Sequence, residues 1–70
     1  MKKGYIKKGT SYFYKNPTGQ SRYFVLLYGD EVEILEEEQN NRVKIKHRER
    51  EGWVTKEHIG DEPVLEVYFI

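Results

Sequence analysis

The sequence predicts a small all-β barrel of about five short antiparallel strands with one short helical turn. Three observations support this fold class. Short runs alternate apolar with polar residues, turn-forming residues recur about every 8–12 residues, and no segment carries a long helical stripe. The 70 residues contain no cysteine, so a thin core must be stabilised by packing alone, and ten aromatic side chains are its main material.

The first two predicted strands are separated by a proline turn. Residues 11–15 are aromatic-rich and end at Asn16-Pro17-Thr18-Gly19. Proline sets φ near about −65° and glycine tolerates positive φ, which is the composition of a tight turn. The next strand, "YFVLLY" over 23–28, is apolar on both faces and ends at the turn Gly29-Asp30.

The third and fourth strands are predicted to form a hairpin. "EVEILEEE" and "RVKIKHR" each alternate between an apolar and a charged face, and Asn40-Asn41 between them suits a two-residue turn with positive φ at both sites. In that register Glu37 faces Lys44 and Glu33 faces Arg48, while the apolar residues stay on the inner face.

The remaining residues complete the barrel. Glu49 to Gly52 predicts a second tight turn, Trp53-Val54 re-enter the core, and residues 55–58 form one helical turn. Trp53 is expected near a barrel end. The other core positions are Phe13, Val25, Leu27, Val32, Ile34, Val43, Ile45, Val54 and Ile59.

Residues 10–60 resemble the bacterial SH3 (SH3b-type) domains. "YFYKNPTGQSRYFVLLYGDEVEIL" is similar to the opening of that family, and "RVKIKHREREGWVTKEHI" to its second half. The specific part is Gly29-Asp30 with Val32, followed some twenty residues later by Gly52-Trp53-Val54. The resemblance implies an SH3-like barrel and says much less about function.

The chain departs from SH3 patterns at the ligand surface. Many SH3b domains carry an aromatic residue where Arg42 stands. Eukaryotic SH3 domains read proline-rich peptides with Pro and Tyr in the short helical turn, where this chain has Thr55 and His58. Recognition of PxxP peptides in that manner is therefore not expected.

The sequence shows no catalytic constellation. Its hydroxyl residues lack a nucleophile elbow, and His47 and His58 lack metal-ligand spacing. The run Glu36-Glu37-Glu38 lacks the spacing of a calcium loop, so we interpret it as a solvated strand end. We expect no enzyme activity, no catalytic or metal-binding residue and no cofactor.

Tyrosines are the best candidates for a ligand surface. In barrels of this type a groove lies between the first long loop (15–22), the 38–41 turn and the helical turn near 55–58, and Tyr14 and His58 would flank it. The predicted ligand-binding residues are Tyr12, Tyr14, Tyr28 and His58, with Tyr23 as a further candidate. Each could equally be an ordinary packed side chain whose hydroxyl is hydrated.

Charge and hydropathy limit the partners. Twelve basic side chains balance twelve acidic ones, so the net field favours neither nucleic acid nor an anionic membrane. The basic start "MKKGYIKKGTSYFY" lacks the apolar stretch of a secretory signal, so a cytoplasmic location is the default expectation. The oligomeric state is left open.

The ending "PVLEVYFI" exceeds what a barrel spanning 1–61 requires. Residues 62–70 predict an extra strand that is apolar on both faces. It resembles the first strand of metallo-β-lactamase-like domains of the competence-protein type, which implies that a further domain follows. The other interpretation is that this strand pairs with an edge of the barrel, near residues 4–8.

Two functional hypotheses follow. The first is a non-catalytic binding or accessory module, the N-terminal domain of a larger bacterial hydrolase with a metallo-β-lactamase-like part, whose partner is the adjoining domain or another protein. The second is a free-standing domain that binds a cell-wall peptide or a protein partner.

Overall fold

A computed structural model describes residues 2–62 of the chain, and the fold of this part is all-β. The predicted fold class is thereby confirmed at the level of an antiparallel β protein. The strands are β1 (Lys2–Ile6), β2 (Thr10–Tyr14), β3 (Arg22–Leu27), β4 (Glu31–Gln39), β5 (Arg42–His47), β6 (Arg50–Thr55) and β7 (Ile59–Gly60). A 3₁₀ turn over Lys56–His58 separates β6 from β7 and confirms the helical turn predicted over 55–58.

The strands form one antiparallel sheet in the order β3-β2-β6-β5-β4-β1-β7. Its two edges are β3 and the two-residue β7, so the sheet is not closed. The strand number exceeds the predicted five because β1 and β7 were not anticipated. Lys2–Ile6 carries only two large apolar side chains, which is too few for a strand pattern, yet β1 pairs with both β4 and β7.

The core is one cluster of buried apolar side chains contributed by β1 to β6. Phe13, Val32, Ile45 and Val54 are buried as predicted, and Trp53 is 6% exposed. Ile6 of the unpredicted β1 joins them with no exposed surface. Three more predicted core residues, Ile34, Val43 and Ile59, are only half-buried.

The prediction for β3 was wrong about which face is buried. Leu26 is 1% exposed, whereas Val25 and Leu27 are 37% and 59% exposed. The β2–β3 register places Leu26 opposite Ser11, whose side chain is also buried, and therefore on the inner face. Because "YFVLLY" is apolar at every position, alternation alone could not choose its inner face.

The β4–β5 hairpin turns at Asn40-Asn41, whose φ angles of 50° and 61° confirm the two-residue turn. Near the turn the register is the predicted one, and Lys44 Nζ lies 3.7 Å from Glu37 Oε1. Residues 35–37 then stand opposite Lys44 alone, with Glu36 at φ 60°. This bulge moves Glu33 opposite Lys46, so the predicted pairing of Glu33 with Arg48 was wrong.

The second hairpin turn lies earlier than predicted. Arg48 and Glu49, at φ 55° and 76°, form it, and Gly52 belongs to β6 instead. Gly52 is needed for packing: a Cβ there would lie 2.5 Å from the Tyr14 carbonyl oxygen and 2.7 Å from Phe13 Cε1. The glycine therefore allows β2 to approach β6.

Of the extra strand predicted at 62–70, only Glu62 is among the described residues. The predicted strand and its pairing therefore lie outside the part of the chain that the structure describes. Between Lys2 and Glu62, no helix is long and apolar enough to cross a membrane.

Candidate functional site

Tyr12 and Tyr14 lie together on the outer face of β2. Alternation turns Ser11 and Phe13 toward the core and the two tyrosines away from it. The tyrosine rings are 6.0 Å apart with an edge-to-face angle of 73°. Tyr12 is 40% exposed, whereas Tyr14 is buried.

Two arginines continue this row at either end. The Arg22 guanidinium carbon lies 4.2 Å from the centre of the Tyr12 ring, and that of Arg42 lies 3.5 Å from the centre of the Tyr14 ring. Such cation–π contacts are each worth about 0.5–1 kcal/mol at exposed sites. We call the row Arg22, Tyr12, Tyr14 and Arg42 the tyrosine–arginine surface.

Arg42 also explains why Tyr14 is covered. Its Nη1 donates to the carbonyl oxygen of Asn16 at 3.1 Å, so the side chain is held over the Tyr14 ring. Asn40 Nδ2 lies 3.4 Å from the Pro17 carbonyl oxygen, which ties the same loop to the hairpin turn. Tyr14 is therefore buried beneath Arg42, and Tyr12 is the exposed aromatic residue of the surface.

The hairpin turn is bonded to the 3₁₀ turn as well. Asn41 Nδ2 donates to Glu57 Oε1 at 2.7 Å, and the Lys56 amide donates to the Asn41 carbonyl oxygen at 2.9 Å. The three segments that the sequence placed around a groove thus meet through direct hydrogen bonds. Arg42 lies over the ring of Tyr14, which was predicted to flank that groove.

Trp53 extends the same outer face onto β6. It is paired with Tyr14 of β2 on one side and with Lys44 of β5 on the other. Lys44 Nζ lies 5.9 Å from the centre of the indole and within 3.7 Å of carboxylates of both Glu37 and Glu51. The positive charge of Lys44 is therefore matched locally.

His58 lies away from the tyrosine–arginine surface. Its Nδ1 is 3.0 Å from the hydroxyl oxygen of Ser11, whose side chain is on the core side of β2. Burial lowers the pKa of His58 below its ordinary value, the positive charge of Lys8 lowers it further, and Glu57 opposes the shift. His58 thus supports the fold through a part-buried hydrogen bond.

Tyr28 stands apart from the other candidates. It lies in the turn between β3 and β4 and is 45% exposed. Its neighbours on the β3 edge are the exposed apolar side chains Phe24, Val25 and Leu27. The four predicted site residues are therefore in three places, and only Tyr12 and Tyr14 share a surface.

The β3 edge borders a cleft of about 490 Å³. Its lining joins residues 24–27 to Asp30 and to residues 47–50 around the second hairpin turn. His47 lies edge-on to Phe24 and Phe13 at 5.6 and 6.1 Å, and its buried Nδ1 has no hydrogen-bond partner in the described part of the chain. A second cleft of about 510 Å³ lies over the half-buried Ile34, Val43 and Ile59.

Sequence reasoning missed Arg22 and misjudged Arg42. From the alternation of β5, Arg42, Lys44, Lys46 and Arg48 were predicted to form a basic stripe that acidic residues across the hairpin neutralise. Among residues 2–62, only Lys44 of these four has an ion pair. Arg22 reaches Tyr12 because a register shift between Phe13 and Tyr14 pairs Tyr14 with Arg22. No feature of the linear sequence indicates this shift.

Within residues 2–62, no group of three or more His, Cys, Asp or Glu side chains is placed to hold a metal ion. Comparison of the chain with models of protein families, with curated proteins and with solved structures found no match.

Proposed function

We propose that this chain is a non-catalytic binding or accessory module with an SH3-like barrel. The order of elements supports this proposal. A hairpin with a long connection (β2–β3) precedes a three-stranded meander (β4–β5–β6), and a single 3₁₀ turn leads to a short last strand. This succession is similar to the SH3b pattern that residues 10–60 resemble.

The observation that carries the proposal is the tyrosine–arginine surface. Tyrosine and arginine are the residue types enriched at protein interfaces, because they offer large contact area and several hydrogen bonds at modest loss of side-chain freedom. Tyr12 remains 40% exposed although Arg22 packs on its ring, and Arg42 packs on the ring of the adjacent Tyr14. A preformed surface of this composition suits docking to a protein.

We propose that the module belongs to a larger bacterial hydrolase of the metallo-β-lactamase-like type, where it positions the enzyme or contacts a partner in the cytoplasm. The terminal segment "PVLEVYFI" supports this assignment through its resemblance to the first strand of such domains. The balanced charge supports a protein or peptide partner over nucleic acid or a membrane.

The test of the accessory role is the intact mass of the natural protein in its source cells, together with the codons that follow Ile70. A mass of several tens of kilodaltons, with a metal-binding hydrolase motif downstream, would support the proposal. A mass equal to that of the 70-residue chain would overturn it.

The cleft beside β3 favours a second candidate, a free-standing domain that binds a cell-wall peptide or a short segment of a partner protein. Its volume of about 490 Å³ falls within the range of small-ligand sites, and Phe24 and Leu27 supply apolar lining. Co-sedimentation with purified peptidoglycan tests this candidate. Loss of pelleting on Leu27→Lys, but not on Tyr12→Ala, would place the ligand in the cleft, and no pelleting of the unaltered chain would exclude a cell-wall ligand.

A further inference from the structure

Seven of the twelve Lys and Arg side chains form two groups with different surroundings. Lys2, Lys3, Lys44 and Lys56 each lie within 4 Å of a carboxylate. Three arginines instead lie over tyrosine rings, and none of the three has a carboxylate within that distance among residues 2–62. Two of these arginines, Arg22 and Arg42, belong to the tyrosine–arginine surface.

Four carboxylates of β4, β6 and the 3₁₀ turn are already engaged. Glu37 and Glu51 both contact Lys44, Glu38 contacts Lys56, and Glu57 accepts a hydrogen bond from Asn41. Although the whole chain has no net charge, neither of the two guanidinium groups has a carboxylate within 4 Å among residues 2–62. The surface is therefore a local site of positive potential on a neutral domain.

The guanidinium groups are also held in place before any partner arrives. Arg42 is fixed by the Tyr14 ring and by the carbonyl oxygen of Asn16, and Arg22 lies on a ring that contacts Tyr14. A stacked guanidinium loses less conformational freedom on binding than a free one, and its planar fork of donors matches a carboxylate in two-point geometry. Exposed Tyr12 between the arginines offers apolar contact to whatever joins them.

We infer that the tyrosine–arginine surface binds an acidic segment of a partner protein, with spaced carboxylates on Arg22 and Arg42 and the intervening chain across Tyr12. This inference rests on the proposed role of the domain as a binding module. A short acidic peptide is favoured over nucleic acid, because nucleic-acid binding uses a basic patch or stripe that neutralises many phosphates. The tyrosine–arginine surface offers two arginines on a chain with no net charge.

The test uses the full 70-residue chain and a fluorescein-labelled hexaglutamate peptide, with hexaglutamine and a twelve-residue oligothymidylate as comparison probes. Fluorescence anisotropy is measured at about 20 mM NaCl, where a Debye length above about 20 Å leaves charge attraction largely unscreened. We expect saturable binding of hexaglutamate, no binding of hexaglutamine, and weaker binding of the oligonucleotide.

Arg22→Gln should weaken hexaglutamate binding about tenfold, the order expected for losing one charge-assisted hydrogen-bonded contact. Arg22 is exposed, so this variant is expected to fold normally. Arg22→Lys should recover only part of the loss, because the charge returns without the stacked fork. Arg48→Gln is the matched control: it removes the same charge from the β5–β6 turn and should change affinity by less than about twofold.

Equal losses in the Arg22→Gln and Arg48→Gln variants would show attraction to net charge alone and would overturn the inference. So would the absence of hexaglutamate binding, or tighter binding of the oligonucleotide. These outcomes are separate from the test of the accessory role: a large natural protein without hexaglutamate binding would leave that role standing and remove only the acidic partner. Backbone and arginine Nε NMR shifts that move at Arg22 and Arg42, and not at Arg48, would place the peptide on the inferred surface.

Discussion

At the scale of single residues, Ser11 and Gly52 have important packing roles. Ser11 is buried among apolar residues and is satisfied through His58 Nδ1 at 3.0 Å. Gly52 lets β6 pass close to Phe13 and the Tyr14 backbone, which in turn positions Tyr14 next to Trp53. The candidate surface therefore depends on residues that do not belong to it.

Gly52→Ala should destabilise the domain by about 1–3 kcal/mol, the usual cost of forcing atoms into a packed core. The added Cβ would meet backbone at 2.5 Å, and backbone cannot yield as a flexible side chain can. Gly9→Ala is the control, since nothing lies within 4 Å of its Cβ position. Urea unfolding measures both, and equal midpoints for the two variants would contradict the close approach of β2 and β6.

His58 should make stability depend on pH. Its pKa is lowered in the folded chain, so the unfolded chain binds a proton first as the pH falls. Stability should be highest above the ordinary histidine pKa of about 6.5 and should fall as the pH drops through that value toward the lower folded pKa. In the His58→Gln variant the urea midpoint should change less between pH 7.5 and pH 5.5 than in the unaltered chain. An NMR titration of His58 gives its pKa directly.

Lys8→Gln should reduce the pH dependence that His58 gives to stability, without removing it. Removing the positive charge should raise the pKa of His58 toward its ordinary value and lessen the loss of stability on acidification. A steeper pH dependence in this variant would contradict the assigned role of Lys8.

At the scale of elements, the edge strand β3 differs most from the rest of the sheet. Its inner residue Leu26 is fully packed, while Phe24, Val25 and Leu27 leave more than a third of their surface exposed. The turn that ends the strand is closed by Asp30, whose Oδ2 accepts a hydrogen bond from the Leu27 amide at 2.8 Å. That carboxylate occupies a backbone donor that another strand could otherwise use.

The assigned orientation of β3 predicts different costs for two adjacent leucines. Leu26→Ala should destabilise by about 2–5 kcal/mol, because a buried side chain is lost and a cavity remains. Leu27→Ala should change stability by less than about 0.5 kcal/mol. Urea denaturation of both variants measures the difference. A larger loss of stability in Leu27→Ala would mean that Val25 and Leu27 face the core, as predicted from the sequence.

At the scale of the whole molecule, a single core joins the strands β1 to β6. Ile6, Phe13, Leu26, Val32, Ile45 and Val54 form a single cluster contributed by six of the described strands. The ion pairs of Lys2, Lys3 and Lys56, by contrast, are exposed lysine–carboxylate contacts, each of which is worth only about 0–1 kcal/mol. Cooperative burial, not surface charge, is expected to stabilise the fold.

Unfolding should therefore be a single transition. Trp53 is the one tryptophan of the chain and is 6% exposed, so its fluorescence reports on the β2–β6 junction, while far-UV circular dichroism reports on all strands. The two midpoints in urea should coincide, and Leu26→Ala should shift both equally. A tryptophan transition at lower urea would mean that this junction opens before the rest of the sheet.

The sequence by itself determined the features that local chemistry controls. Asn40-Asn41 suits a two-residue turn with positive φ, the Pro17 and Gly29 segments form turns, and alternation identified Val32, Ile45 and Val54 as inward-facing. These outcomes depend on neighbours in the chain, so the pattern of residues was sufficient. The sequence also supplied Tyr12 and Tyr14 as candidate ligand residues, and their role in binding stays a prediction.

Only the tertiary structure decided what depends on partners distant in sequence. It chose Leu26 as the inner residue of a strand that is apolar on both faces, and it placed the β4 bulge that moves Glu33 away from Arg48. It also brought Arg22 and Arg42 onto Tyr12 and Tyr14. Strand register determines each of these features, and register is set by packing across the whole sheet, which a one-dimensional pattern does not contain.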